Sequence, residues 1–280
     1  MSGSTLGVAF GGGGARGLAH VHVIKALEEL GVKPDRISGT SIGSIMGAGL
    51  ASGMTAAEVE DHVIGVFSKP TEVLARFWSM RPNSVSEILS RPRTLIGNVD
   101  AVKVMNAFLP QAVQVDFDDL QIPLQVVATD FYGQEEVVIS DGPVTAAVGA
   151  SSALPAIFRS VKRDGRMLVD GGLLNAVPYE LLSEHVDCVV AVDVVGGPAR
   201  STEKEPSRIE SLTGSSQLMM QATTRMKVRL NPPNVMIVPP VDSIRVLDFM
   251  KAKSIFDSTR PTVELAKREI SAALEHCEKG

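Results

Sequence analysis

Four consecutive glycines, Gly11 to Gly14, continue into Ala15-Arg16-Gly17. A run this bare admits few folds. It follows Leu6–Phe10, a short apolar segment suited to a buried strand. It precedes Leu18, Val21, Ile24, Leu27 and Leu30, which recur at helical spacing until Gly31 stops them. Glycines let the chain turn sharply and leave the backbone amides unshielded. Amides at a helix N-terminus favour negative charge, so a strand–glycine loop–helix unit can hold a pyrophosphate or the oxyanion of an acyl-transfer intermediate. A dinucleotide site also needs an acidic residue at the end of the second strand, about 20 residues on. Ile37-Ser38-Gly39-Thr40-Ser41 provides no carboxylate there.

That second segment carries its own signature. Gly39-Thr40-Ser41-Ile42-Gly43 lies between a short strand and a helix of small residues. Glycines flanking a serine permit a tight elbow that lifts the hydroxyl above a sheet, in the manner of G-x-S-x-G nucleophiles. The plainer alternative is a serine N-cap on a closely packed helix. Asp170-Gly171-Gly172 follows the apolar Met167-Leu168-Val169 and places a carboxylate at a strand end. An aspartate is a weak base in water. Touching a serine in a dry site it can take a proton, whereas alone it would read as a turn. None of the five histidines, His20, His22, His62, His185 and His276, sits in a loop after a late strand. The Ser-His-Asp order of α/β-hydrolases is therefore poorly matched, and the histidines read as structural or surface groups.

Composition narrows the field. Lys and Arg total 27 against 32 Asp and Glu, a net charge of −5, and aromatics make up 4%. A nucleic-acid partner is not expected, since such surfaces are basic and often offer stacking rings. Two cysteines, Cys188 and Cys277, give no disulfide framework and no metal-ligand cluster. Met1–Phe10 lacks the pattern of a signal peptide, and no apolar stretch reaches membrane-spanning length. The expected location is the cytoplasm, with peripheral contact at the inner membrane face left open.

Thr55–Phe67 reads as a helix, with Glu58 at the capping-box position. Leu124–Thr129 and Glu135–Ser140 read as a hairpin, Cys188–Val194 as a buried strand, 209–230 as a helix and 255–276 as one final helix. Ser151 and Ser152 read as N-cap groups. The stretch 68–98, with Pro70, Pro82, Pro92 and an apolar patch around Trp78, reads as a candidate lid or lipid-facing segment, or as irregular chain folded on the core. Helices alternating with buried strands indicate an α/β domain with a mostly parallel sheet, taken here as one domain over 5–276.

In this order GGGGARG (Gly11–Gly17), GTSIG (Gly39–Gly43) and DGG (Asp170–Gly172) resemble the patatin-like phospholipase family. So do Ala150-Ser151-Ser152-Ala153-Leu154-Pro155-Ala156-Ile157-Phe158 and Leu174-Asn175-Ala176-Val177-Pro178; the similarity covers about 5–195. The resemblance implies a three-layer α/β/α sandwich and hydrolysis of acyl esters of phospholipids, lysophospholipids or neutral lipids without a metal or other cofactor. It implies Ser41 as nucleophile, Asp170 as its base, and the amides of Gly12, Gly13 and Gly14 as the oxyanion hole. His22 stands where bacterial relatives often carry a small residue. A low-turnover regulatory or lipid-binding protein on the same fold is the alternative. Oligomeric state, headgroup and chain-length preference are not legible.

Overall fold

The computed structural model describes residues 4–69, 71, 73, 99–155, 157–197, 205, 206 and 208–278. Most of the candidate lid at 68–98 lies outside them. The strands are β1 (Leu6–Phe10), β2 (Arg36–Thr40), β3 (Leu124–Asp130), β4 (Glu135–Ile139), β5 (Val161–Arg163), β6 (Arg166–Asp170), β7 (Cys188–Val192) and β8 (Val235–Ile237). The helices are α1 (His20–Leu30), α2 (Ile42–Ala51), α3 (Ala56–Phe67), α4 (Ala101–Phe108), α5 (Val144–Ser151), α6 (Arg208–Leu230), α7 (Ala252–Thr259) and α8 (Thr262–Cys277). A 3₁₀ turn over Gly14–Ala19 leads into α1.

The sheet runs β5-β6-β3-β2-β1-β7-β8, with β4 also on β3. The five strands β3-β2-β1-β7-β8 are parallel, and β4, β5 and β6 join antiparallel. Parallel strands covered on both faces read as continuous apolar runs, and β1 and β7 are buried along their full length. Alternation assigns the faces. Val8, Phe10, Ile37, Val126, Val190 and Val192 join a large core that includes buried residues of α1, α2, α5, α7 and α8. Ala9, Val189 and Ala191 face a smaller core with Val177, Tyr179 and Leu182, against which Met220 and Val228 of α6 pack. The fold is the expected α/β/α sandwich around a mostly parallel sheet. Among the described residues no helix is long and apolar enough to cross a membrane.

The register on β3 brings distant motifs together. β4 lies along 126–130 of β3, so the partners of those residues on the other edge are β2 below and β6 above. β2 pairs parallel as far as Thr40↔Val127, and β6 enters antiparallel and ends at Asp170↔Ala128. Two strands running in opposite directions thus finish nose to nose opposite adjacent residues of β3. Past the end of β6 the chain must squeeze by: a Cβ on Gly171 would stand 2.2 Å from the Val127 carbonyl oxygen. The expected single C-terminal helix is two, α7 and α8, because Pro261 between them lacks an amide hydrogen and cannot continue α7.

Since Val127 belongs to the sheet and cannot yield, Gly171→Ala is expected to cost about 1–3 kcal/mol of stability or more. Urea unfolding measures it; an unchanged midpoint would contradict the packing described.

Candidate active site

Ser41 occupies the turn between β2 and α2 with φ 53° and ψ −125°. A side-chain-bearing residue held at positive φ is strained, by roughly 1–3 kcal/mol, and persists only where its surroundings over-determine it. Here they do. The Ser41 amide donates to Ser151 Oγ at 2.8 Å, and Ser151 Oγ donates to the Val127 carbonyl at 2.5 Å. The Ser41 carbonyl accepts from Ser44 N at 2.9 Å and Ser44 Oγ at 2.6 Å. Behind the elbow Gly43 lets α2 approach the end of β1, where a Cβ would meet the Phe10 carbonyl oxygen at 2.0 Å. Ser151 ends α5 rather than capping a helix N-terminus, so its role is to staple the elbow to β3.

The elbow and the DGG turn meet as the register dictates. Ser41 Oγ donates to Asp170 Oδ2 at 2.7 Å. The other carboxylate oxygen, Oδ1, accepts from Gly172 N at 2.8 Å, and the Asp170 amide donates to the Ala153 carbonyl at 3.1 Å. Burial raises the Asp170 pKa from 3.8 to about 6, against the bonds from Ser41 and Gly172, which favour the charged form. The carboxylate is thereby a stronger base than one in water, yet still mostly ionised at neutral pH.

The glycine loop lies alongside, with its amides in two classes. Gly12 N donates to the Ala176 carbonyl at 2.8 Å, so this amide, expected among the oxyanion donors, is already committed. Gly13 and Gly14 line the cavity next to Ser41, and their N–H groups have no acceptor among the described residues. The segment Asn175–Pro178 braces all three motifs. Its carbonyls at Asn175, Ala176 and Pro178 accept from Thr40 Oγ1, Gly12 N and Ser38 Oγ, each at 2.8 Å, and Asn175 N donates to the Gly171 carbonyl at 2.9 Å. Lys227 on α6 pins the Asn175 side chain with a 2.6 Å bond. Both stretches belong to the motifs that carry the family resemblance, but these bracing roles have no signature in the sequence, since backbone carbonyls carry most of the bonds.

The other polar and charged groups around the loop and the strand ends are structural. Arg16 is 1% exposed, and its guanidinium donates to the carbonyls of Ile244, Val195 and Gly197 at 2.5–2.7 Å, leaving it no edge for a headgroup. Burial lowers its pKa against the pull of Asp242 and Asp248. His20 is fully buried and bonded through Nε2 to the Gly11 carbonyl at 2.8 Å; desolvation lowers its pKa to about 4, so it is neutral. His22 is bonded to the Phe256 carbonyl and His62 to that of Phe108. Asp130 and Asp193 cap their own turns at Tyr132 N and Val195 N. Arg163 pairs with Asp141 and Asp164, and Arg166 with Glu135.

Ser41 and Asp170 open into a cavity of about 400 Å³. Its walls are overwhelmingly apolar, drawn from α2, α3, α4 and the 246–250 segment, with Met46, Val63, Phe108 and Phe249 among them. A site of that size and lining suits an apolar ligand with a few polar atoms at one end. A family model for patatin-like phospholipase matches residues 8–183. The chain belongs to the patatin-like phospholipase family. An uncharacterized NTE family protein of Mycobacterium tuberculosis is 32% identical over 200 residues, covering 70% of this chain and 51% of that protein. Human patatin-like phospholipase domain-containing protein 6 is 28% identical over 275 residues, 95% of this chain and 19% of that one. The chain thus spans about half the length of the mycobacterial relatives and about a fifth of the animal ones. Among solved structures, VipD from Legionella pneumophila matches with a TM-score of 0.47 at 16% identity, over 95% of this chain and 67% of that one. Human GIVD cytosolic phospholipase A2 with methyl gamma-linolenyl fluorophosphonate matches at 0.47 and 12%, over 99% and 60%.

The buried carboxylate has a consequence for stability. With a pKa near 6 folded and 3.8 unfolded, the native state binds the extra proton, so stability falls as pH rises through that window and stays reduced above it. Asp170→Asn should exceed wild type at pH 7 by up to about 3 kcal/mol, the gap closing toward pH 4. Urea midpoints at the two pH values measure this; a variant less stable than wild type at pH 7 would contradict it.

Proposed function

We propose that this patatin-like phospholipase is a serine-dependent lipid acyl hydrolase in which Ser41 attacks the ester and Asp170 is its base. The observation that carries the reading is the 2.7 Å hydrogen bond from Ser41 Oγ to Asp170 Oδ2 at the head of an apolar cavity. Supporting it is the family match over residues 8–183. Asp170 accepts the serine proton as Oγ bonds to the carbonyl carbon, and the carbonyl oxygen becomes an oxyanion. The Gly13 and Gly14 amides donate to that oxyanion, while Gly12 holds the loop in place through Ala176. Collapse expels the alcohol half, which takes the proton back from Asp170. A water then attacks the acyl carbonyl as Asp170 takes its proton, and collapse breaks the acyl–Oγ bond, with Ser41 Oγ taking that proton back and the fatty acid leaving. The strained elbow and the stapled carbonyls fix these groups beforehand, so little reorganisation opposes the reaction.

The apolar walls favour a fatty acyl chain, with phospholipids, lysophospholipids and neutral acyl esters as the substrate class. Contact with a membrane surface during substrate uptake belongs to this proposal. Ser41→Ala and Asp170→Asn are each expected to lower kcat/KM on a medium-chain acyl ester by more than about 10³-fold, with folding retained by circular dichroism. Wild-type protein should form a covalent adduct at Ser41 with an alkyl fluorophosphonate, detected by peptide mass. Near-normal turnover in either variant refutes the pair. No adduct on Ser41 would favour a lipid-binding or regulatory role instead.

A further inference from the structure

Most polar side chains on the cavity wall are accounted for. Ser41 and Asp170 bond one another, His62 Nε2 meets the Phe108 carbonyl at 2.7 Å, and Ser216 Oγ donates to the Leu212 carbonyl at 3.1 Å. Two are not. Ser152 Oγ and Gln217 Nε2 are buried without a hydrogen-bond partner among the described residues. Both residues are 7% exposed, and both line the cavity. Buried polar groups are nearly always paired, because leaving one bare costs free energy that the folded state must absorb. Two orphans facing one apolar cavity are therefore a sign of a missing partner.

Their placement says which partner. Ser152 lies between Ser151, whose hydroxyl holds the Ser41 amide, and Ala153, whose carbonyl accepts from Asp170 N. Gln217 stands about one turn of α6 before Met220, whose terminal methyl comes against Gly172 of the DGG turn. Both orphans thus lie on segments that also touch the elbow or the DGG turn, and both line the cavity that Ser41 and Asp170 share. No Lys or Arg is found among the described lining residues, so a phosphate there would lack a counter-charge. An uncharged oxygen suits the pair. A hydroxyl can accept from Gln217 Nε2 and exchange a bond with Ser152 Oγ, and it tolerates either orientation of the carboxamide.

We propose that Ser152 and Gln217, both orphaned on the wall of the cavity that Ser41 and Asp170 share, form a polar subsite for an uncharged oxygen on the alcohol half of the ester, such as a hydroxyl on the carbon next to the scissile bond. This rests on Ser41 and Asp170 being the reacting groups. The same chemistry is offered by the attacking water, and the two sources separate experimentally.

The test compares 1-decanoylglycerol with propyl decanoate, which share the acyl chain and differ in the hydroxyls. In the Ser41→Ala protein, calorimetric binding of the glycerol ester is expected to be about tenfold tighter. Adding Ser152→Ala and Gln217→Leu should bring the ratio toward unity and raise the melting temperature of the free protein, since two uncompensated polar groups leave the interior. A purely structural pair would lower it. With Ser41 intact, the kcat/KM ratio for the two esters should follow the binding ratio. Equal losses on both esters, with acyl-enzyme accumulating, would assign the orphans to the attacking water and overturn the subsite. Equal binding of the two esters by the Ser41→Ala protein, or an unaltered ratio in the triple variant, also overturns it. Failure of wild type to hydrolyse either ester would refute the hydrolase reading by itself, and the binding ratio would still decide the subsite.

Discussion

One edge of β3 carries both halves of the site. β2 climbs it to Thr40, β6 descends it to Asp170, and the two stop opposite Val127 and Ala128. Residues 129 positions apart in the chain thereby lie end to end, and the Ser41–Asp170 hydrogen bond follows from backbone register. The rest of the local structure protects that meeting. Ser151 ties the elbow to the Val127 carbonyl, Gly171 clears the same carbonyl, and Asn175–Pro178 laces the two strand ends to the glycine loop.

Such a site carries standing costs, and they fall on the residues argued to react or to bind substrate. Ser41 is held at positive φ, Asp170 is a carboxylate out of water, and Ser152 and Gln217 carry bare polar atoms. Each opposes folding by an amount of order 1–3 kcal/mol. The offset is burial: a continuous core joins α1, α2, α5, α7 and α8 to one face of the sheet. The same apolar surroundings that penalise the Asp170 charge raise the basicity of the carboxylate, which the proposed mechanism requires because it uses no histidine. His20, the histidine beside the loop, is kept neutral and spends its Nε2 on Gly11.

Much of this was legible where chemistry and local pattern coincide. Glycine runs at Gly11, Gly39 and Gly171 marked the turns, and β-branched runs marked β3 and β7. What was illegible lacked a local pattern. α5 reads Val-Thr-Ala-Ala-Val-Gly-Ala-Ser and is buried almost all round, so no apolar stripe revealed it. Gly12 looked like its neighbours, and only the approach of Ala176 from another part of the chain shows that its amide is used. Arg16 stands in the GGGGARG motif like its neighbours, but its guanidinium is bonded to carbonyls about 180 to 230 residues away. The single helix expected over 255–276 is divided at Pro261 into α7 and α8.

The pH dependence of Ser41 phosphonylation by an alkyl fluorophosphonate tests the pairing most directly, since it reports the reactivity of the hydroxyl before any substrate turns over. If Asp170 is the base, the second-order rate constant should rise about tenfold per pH unit below an apparent pKa near 6 and level off above it. In Asp170→Asn it should be low and lack that limb. A rate flat from pH 5 to 8 in the wild type, or the same limb in Asp170→Asn, would contradict the claim that these two side chains act together.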